Sequence, residues 1–460
     1  MDDEQFERQV RAAIRRIGDT PASNALRARA DAIAREYSSV ASTGHRFARS
    51  GRLIFATLSV AVAVLGGVLM FATRPNGTAS TSYPGISAHA PTETPISSSI
   101  PTRGEIGVTW GLVTRQQALS AASMHAIVEF NGQFVAVGTA QTPLAAGMAW
   151  TSPDGTHWTR QPMPSLAYPE AIAVGSSGLV AVGYRAEHGD TVAAAWTSPN
   201  GRTWTPVDIS KEYRGWGISA VAVASGPGGL VALGTAGPAT GPGIGPGPDR
   251  PLVWHSRDGT YWTPVSFPDH AANLESIASG SSEFIIGGSM VVGNARNAAI
   301  WTSRDGATWS RSRNLPDSNG APAGDGLSIN VIVAGPDRVL AIAGRAHHEA
   351  TGVVWSSSDG VRWVVARHLT DQDPRYLALA WAPGGFIAAG LVGNDPINES
   401  LVVQVSEEGA VWQTRLIRAP EAGAPAGIAA TANRIVVVGN QGEKPDGLVL
   451  VSPASLISGQ

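Results

Sequence analysis

The sequence predicts an all-β protein, a seven-bladed β-propeller, preceded by a single transmembrane helix and a short helical cytoplasmic segment. Three observations predict it. A nine-residue segment bounded by two tryptophans recurs along the chain, a short apolar strand ending in glycine precedes each copy, and one uncharged run of 20 residues lies near the N-terminus. Recurrence at a fixed period sets the architecture before any local reading does.

The recurring segment is WTSPDGTHW from Trp150 to Trp158. It returns as WTSPNGRTW from Trp196, WHSRDGTYW from Trp254, WTSRDGATW from Trp301 and WSSSDGVRW from Trp355, with a looser copy, QVSEEGAVW, from Gln404 to Trp412. The period is about 46 to 58 residues, and Asp-Gly or Asn-Gly stands at each midpoint. That spacing is a tight β-hairpin: the Asp carboxylate can accept turn N–H groups, and Gly takes the positive φ that closes the turn. With a three-residue turn at 153–155, Trp150 is expected to face Trp158 directly across the strands.

Before each hairpin runs an apolar strand: FVAVG (134–138), LVAVG (179–183), LVALG (230–234), FIIGG (284–288), LAIAG (340–344), FIAAG (386–390) and IVVVG (435–439). Upstream of each lies another apolar run joined by a Gly-rich turn, so each unit is four short strands, the signature of a propeller blade. Seven second strands stand against six hairpins, so the last blade lacks a strand. The segment GVTWGLVTR (107–115) resembles the strands that leave the other hairpins. The strand carrying Trp110 is therefore expected to complete blade seven and remove an open edge.

The hairpin motif resembles the Asp-box, or BNR repeat, of sialidases and related propellers, whose pattern is Ser-x-Asp-x-Gly-x-Thr-Trp. The resemblance covers residues 105–457 and rests on Ser152, Asp154 and Trp158, Ser198, Asn200 and Trp204, and Ser256, Asp258 and Trp262. Ser303, Asp305 and Trp309, Ser357, Asp359 and Trp363, and the lone Trp412 extend it. In each copy Asp or Asn directly precedes Gly, one residue closer than the pattern asks. These residues read as scaffold.

The 460 residues exceed what seven blades need, leaving roughly 100 at the N-terminus. Residues 53–72 (LIFATLSVAVAVLGGVLMFA) carry no charge, and at about 1.5 Å per residue they match the roughly 30 Å hydrocarbon layer. Arg46, Arg49 and Arg52 precede the run and only Arg74 follows it closely, so the N-terminus is expected in the cytoplasm and the propeller outside. Residues 73–104, rich in Pro, Ser and Thr, read as a tether. Residues 1–52 hold two helical patterns: a stripe of Phe6, Val10, Ala13, Ile14 and Ile17, and a second run from Ala22 to Tyr37. They resemble the cytoplasmic ends of membrane-bound anti-sigma regulators, which implies a cytoplasmic protein partner, but lack that family's His and Cys zinc cluster.

Net charge is −3, divided between +3 on residues 1–52 (ten Arg against seven acids) and −6 on the rest, which offers no basic face for nucleic acid. The chain has no Cys, hence no disulfide or thiolate metal site. Lysine occurs only at 211 and 444 among many arginines, which suggests a GC-rich bacterial source.

In a propeller the loops between blades, and those between second and third strands, share one face, and ligands are expected there. That face carries Tyr213, Arg214 and Trp216 before blade three, Arg375 and Tyr376 before blade six, and Arg185 and Arg345 at corresponding positions of blades two and five. Exposed aromatics beside Arg are the usual anchors of a binding surface. Glu170 and Glu275 precede inner strands. The family resemblance implies that sialidase-type hydrolysis would need three arginines, a Tyr nucleophile with a Glu base, and an Asp acid. Arg185, Arg345, Arg375, Tyr376, Glu170 and Asp269 could supply such a set. The Phe or Tyr, Arg, Ile, Pro motif that precedes the first sialidase blade is missing from residues 105–150. His347, His348 and Glu349, with His188 in the equivalent loop of blade two, read as a polar exposed loop, and the Gly/Pro run 237–250 as a flexible insertion. No cofactor or metal is expected. The expected function is a membrane-anchored extracytoplasmic module that binds a protein or glycan of the bacterial envelope. A sialidase-like glycoside hydrolase and an anti-sigma type signalling regulator are the alternatives.

Overall fold

The computed structural model describes residues 110–453 apart from 114–115, 141–145, 188–189, 211–216, 238–249, 293–294, 313–314, 316–325, 346–351, 371, 394–398, 419–422 and 442–445. The expected cytoplasmic segment 1–52, membrane helix 53–72 and tether 73–104 lie outside the described residues. Among the described residues no helix is long and apolar enough to cross a membrane.

Seven four-stranded antiparallel sheets account for nearly all of the described chain. Blade one comprises Ala122–Phe130, Gln133–Ala140, Ala146–Ser152 and Thr159–Pro162. The inner strands of blades two to seven are Ala167–Gly175, Ile218–Gly226, Ala272–Ser279, Leu327–Ala334, Arg375–Ala382 and Ala424–Ala430. Each inner strand touches the inner strands of both neighbours, and the strand of blade seven touches that of blade one, so the sheets form a closed ring. Blade seven takes its outer strand from the N-terminal side: Gly111 pairs with Val451 and Leu112 with Leu450, and Val113 N donates to Val449 O at 2.9 Å.

The core consists of seven separate clusters, each lying between two adjacent blades. One blade therefore cannot bury its own apolar faces, and stability comes from neighbour-to-neighbour contact, as in other repeat architectures. The first tryptophan of each strong hairpin, such as Trp150 at 0% exposure, lies in the cluster shared with the preceding blade. In blade six Gln404 stands where that tryptophan would be, and Tyr376 fills the space.

The hairpins differ from the expected geometry. Trp150 pairs with Arg160, Trp196 with Pro206, Trp254 with Pro264, Trp301 with Arg311 and Trp355 with Val365, so the two tryptophans of a hairpin do not face each other. The connection in blade one runs over residues 153–158 rather than 153–155, its polar groups satisfied within the loop and by Gln116, whose amide donates to Thr156 O and accepts from Trp158 N. Asp154 Oδ1 accepts from the N–H groups of Thr156 and His157, both at 2.8 Å, and Trp158 Nε1 donates to Gly155 O at 2.8 Å. That last bond folds the second indole beneath the turn and out of the ladder. The same indole-to-glycine bond recurs from Trp204, Trp262, Trp309, Trp363 and Trp412, at 2.9–3.2 Å. Even the looser copy, with Glu408 in the Asp position, closes in this way.

These turns join neighbouring blades. Gly201 has φ +75°, and a Cβ there would lie 2.9 Å from Val135 of blade one. The glycine thus serves both the turn and the seating of blade two on blade one.

A second repeated device shapes the channel. Every inner strand carries a β-bulge at the same place, between Met124 and Ala126 in blade one and between Pro169 and Ala171 in blade two. A Cβ at Gly183 would collide with the Tyr168 carbonyl on the bulged strand, which explains the terminal glycine of the apolar motif. Blade five departs from the rule. Ala343 stands opposite Ile329 at its bulge, so the expected strand 340–344 is displaced by one residue relative to the other blades.

Candidate functional site

The bulge residues are His125, Glu170, Val221, Glu275, Asn330, Leu377 and Ala426, one from each blade. Each is at least partly exposed, beside a buried neighbour, and so faces the channel that the inner strands enclose. A bulge turns its extra side chain away from the ladder, which gives seven positions at one level of the ring where chemistry can vary without cost to packing. Glu170 and Glu275, expected before the inner strands, are the bulge residues themselves.

Two polar foci break the symmetry. Between blades one and two, His125 Nδ1 lies 3.1 Å from Glu170 and 3.0 Å from the Pro169 carbonyl. Burial works against the charged imidazole, but the hydrogen bond and charge of Glu170, with the Pro169 carbonyl, outweigh it and raise the His125 pKa. Tyr168 and Tyr184 stack beside this pair, with centroids 4.8 Å apart and rings 9° from parallel. Burial, then the charge of Glu170, pushes the Tyr184 hydroxyl pKa up.

Between blades four and five, Glu275 Oε1 accepts from Ser328 Oγ at 2.6 Å and Asn273 Nδ2 at 2.8 Å, and the Asn330 amide can donate to Oε2 at 2.8 Å. Burial raises the Glu275 pKa despite these donors and the charge of Arg296. Val221 (36% exposed), Leu377 and Ala426 supply the apolar part of the ring. The arrangement offers carboxylates, an imidazole, an amide and apolar contact around one opening. It can hold an amphipathic group bearing hydrogen-bond donors.

Arg185, Arg375 and Tyr376 are each engaged within their own blades. Arg185 and Arg345 do occupy equivalent positions, opposite the first inner-strand residues Ala167 and Leu327. Arg185 is held by Glu187 at 3.0 Å and Asp208 at 4.0 Å, and Arg375 by Glu399 at 3.1 Å. Tyr376, expected to be an exposed anchor, is 4% exposed; its hydroxyl donates to Gln404 at 2.6 Å and its ring lies 5.6 Å from Trp412. Burial, with the charge of Asp373, drives its pKa far above the ordinary phenol value, so it is a core residue. Asp269 accepts from Trp301 Nε1 at 2.7 Å and holds the hairpin of blade four. Tyr213, Arg214, Trp216, His188, His347, His348 and Glu349 lie outside the described residues. Among the described residues no group of three or more His, Asp or Glu side chains is placed to hold a metal.

His125, Val221 and Asn330 escaped the sequence reading. The signal that would have found them is register: each lies one residue past the inner-strand residue paired with the second-strand glycine, or with Ala343 in blade five.

No model of a known protein family matches the chain, and no curated protein matches it. Among solved structures, a mutant of Trypanosoma rangeli sialidase displaying trans-sialidase activity aligns at TM-score 0.41 and 12% identity, over 76% of this chain and 59% of that one. The WD40 β-propeller domain of Doa1 aligns at TM-score 0.44 and 12% identity, over 75% and 97%. A Mycobacterium tuberculosis puromycin-hydrolysing peptidase aligns at TM-score 0.46 and 11% identity, over 72% and 52%. The chain thus spans about three-fifths of the sialidase.

Proposed function

We propose that this chain is a membrane-anchored propeller of the Asp-box type that binds a protein or glycan of the bacterial envelope through the mouth of its central channel. The carrying observation is the bulge ring. Seven equivalent positions that packing leaves free hold His125, Glu170, Glu275 and Asn330 in two interblade pairs, while Val221, Leu377 and Ala426 stay apolar. A polar and apolar ring on a rigid frame supports a binding role. In this reading the uncharged run 53–72 anchors the chain, with residues 1–52 on the cytoplasmic side for a protein partner.

The test is retention on a glycan array by the full chain, and by a Glu170→Gln, Glu275→Gln double variant, with photo-crosslinking to envelope proteins from a benzophenone at Val221. Binding by the wild type that the double variant loses at an unchanged melting temperature supports the reading. Equal binding by both, or no glycan or crosslinked protein, refutes it. Topology can be tested because the chain has no Cys. A cysteine at exposed Val411 should react with a membrane-impermeant maleimide on intact cells, and one at Ser39 should not.

One observation favours a glycoside hydrolase reading: Tyr184 stands opposite Tyr168 on the strand that carries Glu170, and a Tyr beside a Glu is the nucleophile and base such chemistry uses. Against it, Arg185 and Arg375 are each engaged by carboxylates of their own blades. Turnover of a fluorogenic sialoside by the full chain, abolished by Tyr184→Phe, would establish this second reading over the first.

A further inference from the structure

On the face opposite the channel mouth, turns after inner strands meet the Ser-Asp-Gly loop of the next blade, as Gln133 meets Asn200 and Gly228 meets Asp305. The residue just before the first apolar residue of the second strand is glycine in blades two, three and six, where a Cβ at Gly178, Gly229 or Gly385 would strike the Ser198, Ser256 or Ser406 carbonyl of its own blade. In blades one and seven it is a donor: Gln133 Nε2 donates to Asn200 O at 3.1 Å, and Arg434 Nη1 to Asp154 O at 2.7 Å. In blade four it is Glu283, an acceptor placed against a loop whose carbonyls are acceptors too.

Glu283 is 8% exposed and has no hydrogen-bond or ion-pair partner among the described residues. Its carboxylate lies against Gly360 of blade five, where a Cβ would strike it. The neighbouring Asp359 is already saturated by the N–H groups of Val361 and Arg362 and by the Arg362 guanidinium. Burial raises the Glu283 pKa, with the charge of Asp359 acting in the same direction and Arg304 opposing it. The Glu283 side chain is thus largely covered, while its carboxylate keeps solvent contact and is left to a donor from outside the chain.

Glu283 lines a cavity of about 470 Å³ between blades four and five. Arg304 and Arg338 line it as well, and neither has an ion-pair partner among the described residues. Arg304, Arg338, Glu283 and Asp359 thus line one cavity, and no ion pair joins either arginine to Glu283 among the described residues. A plain cation placed there meets two positive charges, and a plain anion meets Glu283 and Asp359. A molecule carrying both charges satisfies the two arginines and Glu283. The volume falls within the range of small-molecule sites.

We propose that the cavity between blades four and five binds a small zwitterion, its ammonium group toward Glu283 and its anionic group held by Arg304 and Arg338. The site is separate from the channel mouth and does not depend on the function proposed for it. Calorimetric titration of the full chain with glycine, β-alanine, γ-aminobutyrate and ε-aminocaproate, which carry the two charges at increasing separation, tests it. Butylammonium and butyrate serve as single-charge controls.

Saturable binding of at least one zwitterion is expected, about tenfold or more tighter than either control, and weakened about tenfold by Glu283→Gln and by Arg338→Gln. The Glu283→Gln variant without probe should melt no lower than wild type. Absence of zwitterion binding, equal binding of a control, or unchanged affinity in Glu283→Gln overturns the proposal. So does a lower melting temperature in that variant, which would make Glu283 a structural contact.

Discussion

Closing the ring with the strand before blade one makes Trp110 a measurable anchor. It is 6% exposed, as is Trp158, which has the corresponding place in blade one. Among the described residues, two residue pairs and one further hydrogen bond join this strand to the rest of blade seven. At about 0.5–1.5 kcal/mol net per hydrogen bond, that short ladder is worth a few kcal/mol. Burying roughly 150–250 Å² of indole at about 25 cal/mol per Å² gives about 4–6 kcal/mol, and measured Trp→Ala truncations cost about 3–5 kcal/mol. The side chain thus holds the ring at least as firmly as its backbone does.

The two tryptophans differ in one respect. Trp158 Nε1 donates to Gly155 O at 2.8 Å, whereas Trp110 Nε1 is buried with no partner among the described residues. Trp158→Ala forfeits a hydrogen bond as well as contact, while Trp110→Ala also removes an unsatisfied donor. The expected order of loss is Trp158→Ala first, then Trp110→Ala lower by about 1–2 kcal/mol, with Trp110→Phe close to wild type. At about 2 °C per kcal/mol for a domain this large, Trp110→Ala should lower the melting temperature by about 5 °C or more. Scanning calorimetry of the full chain reads this directly. An unchanged melting temperature in Trp110→Ala would refute the closure, and equal losses at the two sites would refute the hydrogen-bond argument.

Two further outcomes are expected. Gly201→Ala should destabilise by about 2 kcal/mol, since a left-handed backbone costs an L-residue about 1–2 kcal/mol and the methyl would press on Val135; a variant within about 0.5 kcal/mol of wild type in denaturant titration would deny the interblade role of that turn. The His125 pKa is raised, so the stability its pairing with Glu170 contributes is fully present below its ordinary value and lost as pH rises through the raised one. The gap in melting temperature between wild type and His125→Gln should therefore shrink from about pH 6 to about pH 8.5, and parallel profiles would contradict it.

Periodicity carried the fold. Two tryptophans eight residues apart, Asp-Gly between them, and a glycine-ended apolar strand ahead are local signals, and each corresponds to a local structural demand. The number of blades and the role of Trp110 followed from counting one motif against the other, because a missing strand must be supplied from somewhere. The functional residues were less legible. Tyr376 looked like an exposed aromatic beside an arginine, yet it fills the space beside Gln404, where the looser copy lacks its first tryptophan, a contact that only the fold creates. Arg185 and Arg375 looked free until their carboxylate partners came within reach through the fold.

The sequence by itself determined the repeat unit, the blade count, the polar content of the turns and the place of the closing strand, since all of these depend on contacts within a few residues or on arithmetic. Tertiary structure alone decided that the paired tryptophans do not face each other. It also decided that the core lies between blades, that the bulges at His125, Glu170, Glu275 and Asn330 share one level of the channel, and that Glu283 is buried without a donor. Each of these depends on how one blade meets the next. Near-identical repeats leave that meeting to the few positions where they differ.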